Sequence, residues 1–455
     1  MFDSRRIQHI NDAQYKGGNI LYWSEGALRT EWNCGLAYAS EYALQKKEKL
    51  ISLITIDSEY QHENIRQLIF LVESIRDLSE SYKNKGLNLS VAYGKTETIL
   101  TESIKKNAVG MIVASASYVR YFRDILERLG QALKIPVVIV DDASLLPPWI
   151  ASDHVEYGAY TLRKKYWNTV TMLSPEKNIT PAKVECLQIC DNLSKVLESR
   201  WYKKYITELS QISEGSTNKF LGGEPQAQKL WHAFKKEKLP LYDVARNNPN
   251  EENTSGLSPY LHFGCISPLQ IYHELHTETK KPSMLAFLEE CFVRRELAIN
   301  MWYYEKHPDQ WNCLPDWVVK TFNEDREKQT SLFTEDEYSL EDLKQGKTGD
   351  PLWNAAQHEL VRTGKIHGYV RMYWGKQLTR WFRDWKKAYG IGVYLNDTYA
   401  VDGCSPNGYT GIAWCFGKHD RPFPPKKIHY GLVRSMTFGG MKKKFDVEKY
   451  IKHWQ

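Results

Sequence analysis

Three tryptophans carry the first chemical signal. Trp374 and Trp381 are seven residues apart, so one helix holds both on a single stripe, and Trp353 precedes Trp374 by 21 residues. Packed helices can bring such indoles into a row that passes an electron; the same spacing also describes a Trp-rich helix interface. Glu290 and Arg294 lie at i and i+4, as do Cys291 and Arg295, so an acid with a guanidinium beside it can face a ligand or form a solvated salt-bridged face. The turn Thr254-Ser255-Gly256-Leu257-Ser258 can donate hydroxyl and backbone N–H groups to phosphate oxygens, and equally reads as a Ser258 N-cap with Pro259 at the first helical position. In the stretches Tyr394-Leu395-Asn396-Asp397, Asp402-Gly403-Cys404 and Gly411-Ile412-Ala413-Trp414, Asn396 can bond a ring nitrogen and Trp414 can stack on a base; ordinary turn chemistry with one core Trp fits as well. The tail interleaves basic and aromatic residues from His419 to Lys427, at Arg434 and over Met441-Lys442-Lys443-Lys444-Phe445. That composition suits a groove tracking a nucleic-acid backbone, or a Lys-rich solvated surface.

These groups need a scaffold, and the first third of the chain supplies one kind. Buried apolar runs at 20–23, 50–56, 89–93, 110–114 and 136–141 alternate with helical patterns at 33–46, 63–84, 97–107 and 121–134, the signature of a Rossmann-like parallel sheet wrapped in helices. No GxGxxG follows the first strand, so the domain carries no dinucleotide fingerprint. The pattern loosens from residue 151, with loop-like stretches at 174–181 and 213–223. From residue 224 onward helical periodicity dominates, with long helical stretches at 284–304 and 354–389. The expected organisation is an α/β domain over 1–150, a linker over 151–223 and an all-α domain over 224–455.

Composition narrows the function classes. The chain has 455 residues, 25% of them charged, with no apolar run near the ~18 residues that a membrane helix needs. The amino-terminal residues are polar and do not read as a signal peptide, so a cytoplasmic protein is expected, or a nuclear one in a eukaryotic source. The eight cysteines include no CxxC pair, which speaks against a zinc or iron–sulfur site and for reduced thiols. The net charge of +6 is compatible with a polyanion, and 15 Trp with 28 Tyr exceed what a core needs, as expected of a site that stacks planar groups.

Taken together and in this order, the runs SGLSPYLHFG, RRELAIN, LWNAAQHELVRTGKIHGYVRMYWGK, YLND and NGYTGIAW resemble the class II cyclobutane pyrimidine dimer photolyases over nearly the whole chain. The resemblance implies an amino-terminal α/β (antenna) domain and a helical domain holding bent FAD. It also implies light-driven repair of pyrimidine dimers in UV-damaged DNA by a soluble monomer, with reduced FAD as cofactor and an antenna pigment left unidentified. By motif, Tyr242, Thr254, Ser255, Gly256, Leu257 and Ser258 line the diphosphate side, Tyr338 lies near the flavin, Arg371 and Asp402 flank its ring, and Asn396 faces N5. Glu290 and Trp414 meet the dimer. Trp374, Trp353 and Trp381 form the electron relay, outward in that order. Arg246, Arg294, Arg421, Phe423, Arg434, Lys442 and Lys443 complete a DNA-binding set, with Arg421 and Phe423 entering the space vacated by the flipped lesion. The chain departs from the family's pattern at Ser24-Glu25-Gly26-Ala27-Leu28-Arg29, where a Met-Ser-Arg-Asp-like turn is usual, at Phe423 in place of Trp, in a loop from Trp414 to Asp420 one residue shorter, and at Cys404 in place of an Arg after Asp-Gly. A cryptochrome-type photoreceptor is the alternative; the chain's end soon after Phe445-Asp446-Val447, with no long signalling tail, favours the enzyme.

Overall fold

Buried β-branched runs pair side by side because each can hide both of its faces only under helices. The computed structural model describes residues 3–60, 64–171, 179–212, 220–276, 281–328 and 337–455. The expected loop stretches at 174–181 and 213–223 lie partly outside these residues. Strands β1 (Ile7–His9), β2 (Asn19–Trp23), β3 (Leu50–Asp57), β4 (Leu89–Gly94), β5 (Val109–Ser115) and β6 (Val137–Val140) form one sheet of order β1-β6-β5-β2-β3-β4. All pairs are parallel except β1 with β6, which pair antiparallel with Ile7 opposite Val140. Helices α1 (Cys34–Lys46), α2 (Ile65–Asn84), α3 (Thr96–Lys106) and α4 (Arg120–Ala132) make the crossovers. Chain order reverses between β2 and β5, and at such a switch point the loops leaving the strands' carboxyl ends part and open a crevice. There the backbone N–H groups of Glu25 and Gly26 both donate to Ser115 Oγ at 2.9 Å.

The remainder is helical. The helices that build the site are α5 (Ser258–His262), α6 (Pro282–Leu288), α7 (Arg295–Tyr304), α8 (Pro351–Thr363), α9 (Gly368–Trp381), α10 (Trp385–Tyr399) and α11 (Pro406–Cys415). Two expected long helices are interrupted. Between α6 and α7 the turn Glu289–Arg294 is π-helical, and the 354–389 stretch breaks at left-handed Gly364 (φ 77°) and again after Trp381. The two halves pack as one body. One apolar cluster contains Ile20, Leu162, Trp231, Leu297 and Val401, so packing continues across residues 150 and 223. Gly264 (φ 69°) shows how close the approach is: a Cβ there would stand 2.0 Å from Gly26 O.

Glu296 on α7 ties these halves together. Its carboxylate accepts from the backbone N–H groups of Leu145 at 2.6 Å and Leu146 at 3.2 Å and from the Tyr166 hydroxyl at 2.7 Å. Burial pushes its carboxyl up to about 7, against the pull of Arg295 and these hydrogen bonds. A buried acid that holds its proton more tightly than in the unfolded chain favours folding below the unfolded value, and that advantage is lost as pH rises through about 7. The loss amounts to roughly 3 kcal/mol between acid and neutral pH. Denaturation of Glu296→Gln, which has no such titration, is therefore expected to close on the wild type by up to that amount from pH 5 to pH 8. Parallel stability profiles for the two proteins would contradict this.

Candidate active site

The loops at the carboxyl edge of the sheet and the helices α5 to α11 enclose one cavity of about 1160 Å³. One wall is built for anionic oxygen. Thr254, Ser255, Gly256 and Ser258 lie along it with Lys365, His367, Arg371 and Asp402. Ser258 is the first residue of α5 rather than its cap; Leu257 takes the N-cap position without a side-chain bond, and the Ser258 hydroxyl meets Lys365 Nζ at 2.7 Å. Leu257 itself is buried behind this turn, with its N–H on Ser255 Oγ. Burial opposes the charge on Asp402, yet Arg371, Lys365, the Ser258 hydroxyl and His262 together hold it below the usual carboxylate range. Burial lowers His262 to about 4, so this cavity-lining imidazole is neutral at pH 7.

Asn396 stands directly behind this wall. Its Nδ2 lies 3.3 Å from Asp397 Oδ1, and a Cβ on Gly408 would come within 3.0 Å of that nitrogen. A Cβ there would also stand 3.3 Å from Asp402 O and Ser405 Oγ, so a larger residue would have to push these neighbours back by a few tenths of an ångström.

The opposite end of the cavity gathers Glu290, Arg294, Trp414, Asp420 and Arg434. The π-turn between α6 and α7 carries Glu289, Glu290 and Arg294, and single π-turns inside helices recur at functional sites. Arg246 Nη1 pairs with Glu290 Oε1 at 2.5 Å, with Arg294 Nε 3.6 Å from the same oxygen. Tyr242, which also lines the cavity, packs 5.6 Å from the Arg246 guanidinium. The Arg294 guanidinium lies 5.3 Å from the Trp414 ring centroid, and His419 meets the same ring edge-on at 5.6 Å. Asp420, raised by burial, hydrogen-bonds the Trp414 indole and faces Lys376 and Arg434. Arg294 and Arg295 on the cavity wall, and Arg246 at its rim, each keep one buried guanidinium nitrogen without a hydrogen-bond acceptor. Donors left in this state are costly unless a ligand supplies oxygens.

A row of aromatic rings runs from α9 away from the cavity. Trp374 stacks on Trp353 with centroids 6.0 Å apart and an interplanar angle of 8°, and Trp353 meets Trp381 at 5.3 Å. Each inner indole is pinned: Trp353 Nε1 donates to Trp374 O and Trp374 Nε1 to Gln357 Oε1, both at 3.0 Å. Tyr338 is not among the residues lining the cavity; it stands edge-on to Trp381 at 5.1 Å, next to this row.

The surface assignments divide. Arg434 reaches the cavity mouth, with its guanidinium 5.8 Å from Phe423, and Arg421 covers the same ring at 5.4 Å. Arg421 and Phe423 stand beside the mouth, not in it. Of the Lys442-Lys443-Lys444 run only Lys444 lines the cavity; Lys442 pairs with Glu448 at 2.7 Å and Lys443 is exposed. Lys365, His262, Lys376, Asp420 and Lys444 appear in the sequence only as members of longer runs, with no role of their own. Lys365 alone had a signal, a basic residue directly after the Gly364 that ends α8. A second arm of the cavity reaches Glu25, Asp57, Tyr60 and Ser117 at the sheet's switch point. No cluster of ligating side chains able to hold a metal ion occurs among the described residues.

The DNA photolyase family model matches residues 20–182. Over 453 residues the chain is 34% identical to a deoxyribodipyrimidine photo-lyase of Methanothermobacter thermautotrophicus, covering 99% of this chain and 98% of that one. The chain belongs to the DNA photolyase family. A deoxyribodipyrimidine photo-lyase of Potorous tridactylus is 31% identical over 461 residues, 99% of this chain and 84% of its own. The fold is shared with the crystal structure of a bacterial class III photolyase from Agrobacterium tumefaciens, at a TM-score of 0.73 and 20% identity over 97% of this chain and 87% of that one. In this photolyase-family enzyme no helix among the described residues is long and apolar enough to cross a membrane.

Proposed function

We propose that this enzyme repairs cyclobutane pyrimidine dimers in UV-damaged DNA with reduced FAD and blue light, and that it is of the class II type. One observation carries the reading: hydroxyl and cationic donors, a neutralised Arg371–Asp402 wall, and a Trp414 flanked by Glu290 and unsatisfied guanidiniums all share one cavity. The volume exceeds what the ~300–1,000 Å³ of a drug-sized ligand requires, as needed for a dinucleotide cofactor and a flipped lesion together. The fit to FAD rests on the donor set. Thr254, Ser255, Ser258 and Lys365 suit a diphosphate, and Arg371 with Asp402 suits the polar edge of a flavin ring.

When bound and reduced, FAD supplies the photoexcited electron that opens the cyclobutane ring and takes it back. The protein's part is placement. A dimer must leave the duplex to reach the cavity, and its weakened stacking makes that departure cheaper than for intact bases. Trp414 offers it a stacking face. Arg246 and Arg294 can donate to its phosphates, and Glu290, which Arg246 now holds, can bond the pyrimidine. Trp374, Trp353 and Trp381 form the ring row that would pass electrons toward a bound flavin and so reduce oxidised cofactor.

The test is illumination of the reduced FAD-loaded protein with dimer-containing oligothymidylate. Thymine absorbance is expected to return under blue light and not in the dark. A flavin-loaded protein that binds the oligomer yet restores no absorbance would overturn the repair reading in favour of a signalling flavoprotein.

A further inference from the structure

Glu289 opens the π-turn between α6 and α7, and that turn sets two acids against one arginine. In an α-helix residues i and i+5 face different sides, whereas a π-turn closes at i+5, so Glu289 and Glu290 both stand near Arg294. Arg294 Nε lies 3.5 Å from Glu289 Oε1 and 3.6 Å from Glu290 Oε1, yet it is buried without a hydrogen-bond acceptor. Each acid has another arginine. Arg246 holds Glu290. Arg163, on the helix Ala159–Thr171, takes both oxygens of Glu289: Nε donates to Oε2 at 2.9 Å and Nη2 to Oε1 at 2.6 Å. A bidentate fork of this kind is the strong form of the arginine–carboxylate pair. Four residues along the same helix, Trp167 meets Phe292 of the π-turn edge-on with centroids 6.4 Å apart, so a ring contact independent of the ion pair also docks this helix on the turn.

Three guanidiniums thus share two carboxylates, and the one left over is Arg294. It lies 5.3 Å from the Trp414 ring centroid, and both residues line the cavity, as does Arg163. We infer that Arg163 is a positioning residue: by occupying Glu289 it leaves Arg294 over Trp414 with its donors free for a phosphate of the nucleotide drawn against that ring. This rests on the repair reading above. Without Arg163 the Glu289 carboxylate loses its fork, and a small shift brings Oε1 from 3.5 Å to hydrogen-bond distance of Arg294. The acid then takes the donors that the phosphate needs.

Binding of the protein to a dimer-containing oligonucleotide, measured over a range of salt concentrations, tests the assignment. Arg163→Met keeps an aliphatic stem and removes the fork. It is expected to bind this oligonucleotide roughly tenfold more weakly, the worth of one hydrogen bond to a charged group. The slope of log affinity against log salt is expected to become shallower by roughly 0.7–0.9, one phosphate contact, while binding to undamaged duplex changes little. In a Glu289→Gln background the same substitution is expected to change almost nothing, because no acid remains to capture Arg294. Arg163→Gln serves the same cycle should Arg163→Met not fold. An equal loss in both backgrounds would mean that Arg163 touches the DNA itself, and it overturns the inference, as does an unchanged affinity in the single variant or a lost affinity with an unchanged salt slope. A wild type that does not prefer dimer-containing DNA overturns the repair reading, and this inference with it.

Discussion

Trp353→Phe is expected to abolish most light-driven reduction of oxidised flavin while leaving repair by already reduced enzyme unchanged. The geometry dictates the asymmetry. Trp353 is the central ring of the row, 6.0 Å from Trp374 and 5.3 Å from Trp381, and no other aromatic ring bridges that pair among the described residues. A phenyl ring is harder to oxidise than an indole and leaves a wider gap, so the hop is interrupted. Repair uses an electron already on the cofactor and needs no traffic along the row. Trp353 is fully buried, so the substitution also costs stability, on the order of 1–3 kcal/mol for a core ring that shrinks. Transient absorption under illumination measures the first quantity and dimer splitting by chemically reduced enzyme the second. Equal loss of both would show that the indole row is only core packing.

Trp414→Ala should weaken binding to dimer-containing DNA by roughly 5- to 150-fold, the equivalent of about 1–3 kcal/mol of base stacking. Binding to undamaged duplex is expected to change little, because that mode relies on phosphate contacts from groups such as Arg434 and Lys444 at the mouth. The slope of affinity against salt is therefore expected to stay the same while discrimination collapses. The ring is unusually well held for this purpose, by Arg294 over its face, His419 at its edge and Asp420 on its nitrogen. A loss shared equally by damaged and undamaged DNA would assign Trp414 to the general surface instead.

The parallel strands were legible because each is a short apolar run buried on both faces, and the run at 50–56 lies within β3, Leu50–Asp57, all of whose residues are buried. The three residues of β1 were not: Ile7-Gln8-His9 is too short for any period to show, and only pairing along Val138–Val140 makes it a strand. The π-turn at Glu289–Arg294 escaped for a related reason, since Glu290 and Arg294 satisfy helical spacing whether or not one residue is inserted. Of the site, the residues carried by dense motifs, from Thr254 to Ser258 and at Arg371, Asp402 and Trp414, were nameable in advance. Ser258 shows the limit. Its position before Pro259 suggests a cap, and only the arrival of Lys365, 107 residues later, gives its hydroxyl another partner. Which side of a helix or turn meets the cavity depends likewise on packing between distant segments: Lys444 lines it and Tyr338 does not.

One FAD is expected to occupy this cavity, held by the Ser258–Lys365 and Arg371–Asp402 wall. Equilibrium titration of the purified protein with FAD, followed by flavin absorption and by quenching of its fluorescence, tests it most directly. The wild type is expected to retain one equivalent in that wall, and Asp402→Ala to lose it while keeping its fold. A colourless protein that binds no FAD, or one whose flavin binding is indifferent to Asp402, would contradict the account.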